Sequence, residues 1–326
     1  MSPSPHVLIV STKLDVATDV VVSLLDRRGV RATRINSEDF PFDSFLATTV
    51  TPNSLTTTYR FGALEPVTLE DVSSIWYRRV RSPERPNTML QGVYDFCLRE
   101  ARSALLGSIL GTNSRIMSPP ASIWSAEHKL LQLETARLVG LQIPETVFTN
   151  DPNRVMQAFK TFNGKMIAKP IRTGFVDYGS EQQAIFTSQV LESHLERVND
   201  ARLSPAIYQP LIPKRFDVRV TAVGSRLFVA EIDSQSDPEA SVDWRHTADS
   251  HLPHYRSSLP IEVEAGIHKL LSRLGLNFAA IDLIRTPSDQ YIFLEVNPSG
   301  QWLWLDDMLD LGISEAVADW LAVSRK

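Results

Sequence analysis

Three residues near the C-terminus have the types and spacing of a cation site: Asp282, Glu295 and Asn297. They lie in FAAIDLIRT-PSDQ-YIFLEVNPSG, residues 278–300, where two apolar runs flank a turn signal at Pro287, Ser288 and Asp289. That pattern reads as a β-hairpin. Glu295 and Asn297 are two apart and share one strand face. A two-residue loop at Ser288-Asp289 sets Asp282 directly across from Glu295. Like charges opposed across a ladder destabilise it, so a compensating group is expected. A hard cation fits, and Mg²⁺ takes few protein carboxylates together with substrate phosphates. The plain alternative is a pair of solvent-facing acids. Against it, each acid has apolar neighbours: Ile281 and Leu283, Leu294 and Val296.

Other segments offer polar groups of different kinds. Lys169 is the lone charge at the end of the apolar run MIAKP, where it can meet a phosphate as a point charge or snorkel from a sheet edge. Lys129, on a helix after Pro119-Pro120, reads by itself as a surface lysine. YQPLIPKRFDVRV (208–220) carries Pro210 and Pro213, so it makes a poor central strand and suits a hinge whose backbone faces a ligand. Asp217 and Arg219 follow on one strand face. Arg219 either pairs with the acid two residues before it or clamps a phosphate. Glu231 falls on the partnering strand. DWRHTADSHLPHYR (243–256) holds Asp243, Arg245, His246, Asp249, His251 and His254. Histidine and aspartate suit a transition metal, but two arginines stand among them, and a polar loop lining an active site fits better. RTGFVDYG (172–179) is a turn-rich loop. The chain contains no Walker A motif, no G-x-G-x-x-G, no G-x-S-x-G and no H-E-x-x-H.

These residues need a scaffold, and the pattern supplies one. HVLIVST (6–12) reads as a buried strand, 15–28 as a helix ending at Gly29, and VRATRIN as a second strand, an α/β opening. SIWYRRVRSP (74–83) reads as a strand. A helix is expected over 86–108, with Leu90, Val93, Tyr94, Cys97, Leu98, Ala101 and Leu105 as its apolar stripe. Ile116 to Pro120 breaks the chain. A further helix spans about 125–139, with Ser125 as N-cap and Gly140 as stop. Strands dominate from 206, with a hairpin turn at Gly224-Ser225. A helix over 262–274 ends at Gly275. The expected fold class is α/β (α+β), in three parts: 1–118, 119–205 and 206–326.

Composition narrows the class. With 326 residues there is room for several packed domains. A net charge of −5 gives no overall basic footprint for nucleic acid. Cys97 is the single cysteine, so no intrachain disulfide forms and a Cys-based zinc site is not expected. No apolar run approaches a membrane span, and the N-terminus lacks the form of a signal peptide. A cytoplasmic protein is expected.

In order and spacing the chain resembles the ATP-grasp superfamily. The features that carry the resemblance are Lys129, Lys169, the hinge Gln209 to Ile212, Asp217 with Arg219, Asp243 to Arg245, and the set Asp282, Glu295, Asn297. Within that superfamily it looks most like the ribosomal-peptide maturases that make microviridin-type graspetides. The similar stretches are INSEDFP (35–41), IWYRR (75–79), FDVRVTAVGSRLFVAEIDSQ (216–235) and EVNPSGQWLWL (295–305).

The resemblance implies an ATP-grasp fold, with an N-terminal α/β domain before central and C-terminal domains that sandwich ATP. It implies that Lys129 and Lys169 contact phosphates. Gln209, Pro210, Leu211 and Ile212 would hold adenine through the backbone, and Asp217 the ribose. Asp282, Glu295 and Asn297 would hold Mg²⁺, and Arg219 and Arg245 would neutralise the transferring phosphoryl group. Pro210 stands where related ligases often carry an acid, so its carbonyl alone would serve. The implied activity joins Asp or Glu side chains of a precursor peptide to Ser or Thr hydroxyls. The alternatives are amide rings through Lys, or a ligase that adds a free amino acid. The implied partner is that peptide, with leader and core, bound by a homodimer. Arg78, Arg79 and the 225–250 region are candidate peptide contacts. A nucleotide-binding protein without ligase activity and a metallohydrolase built on the histidines are the readings from other classes.

Overall fold

The structure is a computed structural model that describes residues 5–62, 65–172, 174–177, 182–247 and 252–323. Its N-terminal third contains β1 (His6–Ser11), α1 (Val16–Arg27), β2 (Arg31–Asn36), β3 (Ser44–Thr51), β4 (Ser54–Phe61), β5 (Val67–Thr68), β6 (Ser74–Tyr77), α2 (Gln91–Leu110) and β7 (Arg115–Ile116). Four of these strands form a parallel sheet in the order β2-β1-β6-β7. Every residue of β1 is buried, as expected of a parallel strand covered on both faces. The strands β3, β4 and β5 form a separate antiparallel sheet.

Two boundaries differ from expectation. The strand expected over 74–83 stops at Tyr77. The helix expected from 86 starts at Gln91, after a turn closed by the Met89 N–H on the Pro86 carbonyl. Leu90 and Val93 are exposed, and Ala101, Leu105 and Ile109 carry the packing of α2.

The middle of the chain contains α3 (Pro120–Ala126), α4 (Lys129–Leu138), β8 (Val147–Thr149), α5 (Pro152–Thr161), β9 (Met166–Lys169), β10 (Phe175–Asp177), β11 (Gln182–Ala184) and β12 (Ser188–Val190). One helix was expected over 125–139. Two are found, because His128 is extended (φ −85°, ψ 104°) and serves as the N-cap of α4. Ser125 therefore lies inside α3 rather than at a cap.

The rest is β13 (Ala206–Pro210), β14 (Phe216–Val223), β15 (Arg226–Ile232), β16 (His254–Ser257), α6 (Ile261–Leu274), β17 (Phe278–Arg285), β18 (Tyr291–Asn297), α7 (Leu303–Leu309) and α8 (Ile313–Leu321). Helix α6 ends at Gly275 in the left-handed region (φ 68°), with its N–H returned to the Leu271 carbonyl.

Two antiparallel sheets face each other across the site. One has the order β12-β9-β13-β8, the other β16-β15-β14-β17-β18. The proline-bearing segment is thus an interior strand, contrary to the sequence expectation. Pro210 is tolerated because it is the last residue of β13, beyond the reach of β8, which pairs only with Ala206 to Tyr208.

Burial is shared unevenly. The five-stranded sheet and the N-terminal sheet contribute to one core, from Leu8 and Val10 to Val218, Ile281 and Phe293. A second cluster packs α8 against α1 and β1, with Trp76 and Trp302 between them. The four-stranded sheet has a small core of its own around Val155, Phe162, Met166 and Tyr208. Helix α4 lies against β18 and α6 rather than on the four-stranded sheet.

Candidate nucleotide and metal site

Asp282 on β17 faces Glu295 on β18 in the ladder, and Ala280 faces Asn297. The turn is longer than expected, since Arg285 pairs with Tyr291 and the Thr286 N–H donates to the Gln290 carbonyl. That turn would shift the register by one. A bulge at Leu294 restores it. The bulge also lets Phe293 and Val296 both enter the core while Leu294 and Glu295 both line the cleft.

The edge of β18 is completed by a side chain. Gln132 of α4 donates to the Val296 carbonyl at 2.8 Å and accepts from the Val296 N–H at 2.9 Å. This pins the residue between Glu295 and Asn297. Gln132 was not singled out from the sequence; its only signal was a polar residue on the buried face of a helix.

Cations surround the two acids. Arg219 Nη1 donates to Asp282 Oδ1 at 2.8 Å, and Lys129 Nζ lies 2.9 Å from Glu295 Oε2. Arg219 therefore pairs across the sheet and not with Asp217, two residues before it. Its register partner on β17 is Asp282. Arg219 Nη2 also donates to the Gln301 carbonyl at 3.2 Å, while its buried Nε has no partner among the described residues. This approach needs Gly300, because a Cβ there would lie 2.3 Å from Ala280 Cβ and 3.2 Å from Arg219 Nη2.

Arg245 binds Asp243 through Nε and Nη2, both at 2.9 Å, and its Nη1 stands 3.6 Å from Glu295 Oε1. Burial works to raise the Glu295 pKa, but Lys129, Lys169 and Arg245 outweigh it and hold the group well below the usual carboxylate range. Burial likewise opposes ionisation of Asp243, and Arg245 overcomes it, lowering its pKa to about 2. Lys169 is buried at the end of β9 without an ion pair among the described residues. Burial lowers its pKa to about 8. A buried ammonium in that state favours an incoming anion.

The hinge forms the far end of the cleft. Gln209, Pro210, Leu211 and Ile212 line it together with Lys169, Asp217, Trp244, Asp282 and Glu295. The Gln209 side chain is turned away to Thr146 Oγ1 at 2.8 Å, and the Leu211 N–H donates to the Lys165 carbonyl at 2.8 Å. Asp217 is buried in the same wall, 2.7 Å from Lys214 Nζ. Burial raises its pKa and Lys214 opposes that rise. Lys214 was not recognised from the sequence.

A second compartment of about 410 Å³ adjoins this one. The two share Lys169, Thr187, Arg245 and Glu295, and Asn297 lines the second. Lys129, Lys169, the hinge Gln209 to Ile212, Asp217, Arg245, Asp282, Glu295 and Asn297 thus line one continuous cleft, which Arg219 adjoins through its pair with Asp282. Two carboxylates and an amide oxygen on one strand-pair face are hard oxygen donors, and the set fits Mg²⁺ rather than zinc.

Other candidates fall elsewhere. His246 packs at a tilt on Phe186, a wall residue of the second compartment, and His254 bonds the Leu252 carbonyl through Nδ1 and packs on Trp304. Asp249 and His251 lie outside the described residues, among which no group of three or more His, Cys, Asp and Glu side chains is placed to hold a metal ion. Arg78 is not a surface contact for a peptide. It is 1% exposed, bonded to Asp15 at 2.6 Å and lodged against Trp76 and Trp302. Glu231 does lie on the partnering strand and binds Arg285 at 2.7 Å.

Residues 6–123 match the family model described as the MvdD pre-ATP grasp domain. The macrocyclase MdnC of Microcystis aeruginosa, solved with precursor peptide MdnA, is 30% identical. The match covers 97% of this chain and 99% of that one, with a TM-score of 0.86. The chain belongs to the ATP-grasp ligases that mature ribosomal peptides. The macrocyclase MdnB from the same organism is also 30% identical over 97% and 99% of the two chains, with a TM-score of 0.80. A Chryseobacterium gregarium ATP-grasp ligase, solved with ADP and a leader and core peptide, is 28% identical over 97% and 96%, with a TM-score of 0.89. No curated protein matches the sequence. Within this family of ligases, Gln132 and Lys214 of this chain join the residues named above at the cleft.

Proposed function

We propose that this chain is an ADP-forming macrocyclase. It activates Asp or Glu side chains of a ribosomal precursor peptide as acyl phosphates and joins them to Ser or Thr hydroxyls of the same peptide. The observation that carries this reading is the convergence of Lys129, Lys169, Arg219, Arg245, Asp282, Glu295 and Asn297 at one cleft, in a chain of this family.

A carboxylate is a poor electrophile, and phosphorylation makes it a good one. The approach of two anions is the difficulty. Lys129 and Lys169 offset the triphosphate charge, and Arg219 and Arg245 are placed for the transferring group. Mg²⁺ held by Asp282, Glu295 and Asn297 would supply charge neutralisation between phosphate oxygens. Lys129 and Arg219, which pair with Glu295 and Asp282, would be available to phosphates if those carboxylates held the cation. The backbone of residues 209–212 would read the adenine edge, and Asp217 would take the ribose. Leader docking elsewhere on the enzyme would raise the effective concentration of the core peptide.

The reading extends to three bodies, 1–118, 119–205 and 206–326, working as a homodimer in the cytoplasm. The parallel sheet lies wholly within the first body, whereas β13 at the start of the third pairs with β8 and β9 of the second.

The test is ADP release with Mg²⁺, ATP and a peptide that is encoded next to this chain's gene and rich in Thr/Ser and Asp/Glu. Release should require the peptide and stop when its Asp and Glu residues are changed to Asn and Gln. ADP release indifferent to those changes would remove the carboxylate as the activated group.

A further inference from the structure

Five carboxylates among the described residues line the two compartments, and four are tied to a cation at close range. Asp217 has Lys214 at 2.7 Å, Asp282 has Arg219 at 2.8 Å, and Asp243 and Glu295 have Arg245 and Lys129 at 2.9 Å. Glu127 is the exception. Its nearest cation is Arg172 at 3.8 Å, and both side chains reach solvent (42% and 81% exposed).

The backbone of Glu127 is nonetheless anchored. Its N–H donates to the Ile123 carbonyl at the end of α3, two residues before Lys129 opens α4. It lines the same compartment as Asn297, Glu295 and Arg245. It is also felt across the gap to the N-terminal sheet. Burial pushes the Tyr77 phenol up, Arg102 opposes that, and Glu127 adds to the rise. Tyr77 is the last residue of β6, at the carboxyl end of a parallel strand.

Ester formation has a requirement that phosphoryl transfer does not. A Ser or Thr hydroxyl must lose a proton as it attacks, and a positioned carboxylate is a suitable acceptor. We propose that Glu127 is the general base for ring closure, an assignment that rests on the ligase reading above. Its carboxylate takes the hydroxyl proton as the oxygen bonds to the acyl carbon. The bond from that carbon to the phosphate oxygen breaks, and inorganic phosphate leaves with the electron pair. Glu127 then passes the proton to the departing phosphate or to water. The four tied carboxylates are poor candidates, since each is already committed to a cation.

Hydroxylamine separates the two half-reactions, because it attacks an acyl phosphate directly and leaves a hydroxamate. The Glu127→Gln variant is compared with the wild type, using the neighbouring-gene peptide, ATP and Mg²⁺. Ring closure should fall by roughly 10²–10⁴, the usual worth of a general base, while hydroxamate formation stays within about twofold. Arg172→Gln should leave both rates within about twofold if Arg172 is only a solvated neighbour. Ring closure near the wild-type rate in Glu127→Gln overturns the assignment. So does an equal fall in both half-reactions, which would move Glu127 to carboxylate activation or to folding. Absence of hydroxamate with the wild-type enzyme overturns the ligase reading itself and this assignment with it.

Discussion

Gln132 takes the place of a neighbouring strand for Val296, giving one hydrogen bond and receiving another through the same amide. Both ends of that exchange are buried, and Glu295 and Asn297 lie on either side of it. Gln132→Leu keeps the bulk and removes both bonds, together with the one the same amide gives to the Ala126 carbonyl at 2.6 Å. Each orphaned backbone group costs about 1–3 kcal/mol. The expected outcome is a lower melting temperature and a turnover reduced by up to ~10²-fold, the scale of an ångström's misplacement at reacting groups. Unchanged melting and turnover would show that the edge of β18 needs no support from α4.

Lys169 gives the cleft a pH dependence. Its folded pKa is lowered to about 8 by burial, from an ordinary value of 10.5. Between these values the unfolded chain holds the proton and the folded chain does not, so this group makes stability rise with pH across that window. Below pH 8 its full penalty is present, and the ammonium is available to bind phosphate. The KM for ATP should therefore increase as pH rises through about 8, and Lys169→Arg, which stays charged, should flatten that rise. Titration of KM against pH in both proteins checks it, and parallel profiles would contradict it.

Arg219 has one carboxylate partner, one carbonyl partner and one unpartnered donor. Arg219→Ala should reduce turnover by roughly 10²–10³ if the guanidinium meets developing charge, with little change in the KM for ATP. Gly300→Ala should produce a milder form of the same defect, because the new methyl group would crowd Ala280 and the guanidinium. Near-normal turnover in Arg219→Ala would leave Arg219 as an ion-pair partner of Asp282 and nothing more.

The double variant Glu295→Gln, Asn297→Ala tests the cation set. It should abolish turnover while leaving the melting temperature within a few degrees, since neither side chain is part of the apolar core. Full activity over a range of Mg²⁺ concentrations would contradict the assignment of these donors.

Much of this architecture was legible because strand and helix periods reveal which faces are apolar. The pairing of Asp282 with Glu295 is the one that a two-residue turn would give. The molecule reaches it differently, through a longer turn corrected by the bulge at Leu294, and no local pattern announces a bulge. The split of the 125–139 helix at His128 was not legible, since apolar spacing continues across it. Nor were Gln132 and Lys214, whose roles depend on contacts between distant segments. Arg78 was misread for a related reason. An arginine at a strand end looks solvated until Asp15, Trp76 and Trp302 are found packed around it.

The most direct measurement of the central claim is mass spectrometry of the neighbouring-gene peptide after incubation with the enzyme, ATP and Mg²⁺. The account predicts successive losses of one water per ring, reversed by mild base because the links are esters. Base-resistant losses would mean amide rings. A mass gain equal to an added amino acid, or an unchanged peptide while ATP is consumed, would contradict the macrocyclase reading.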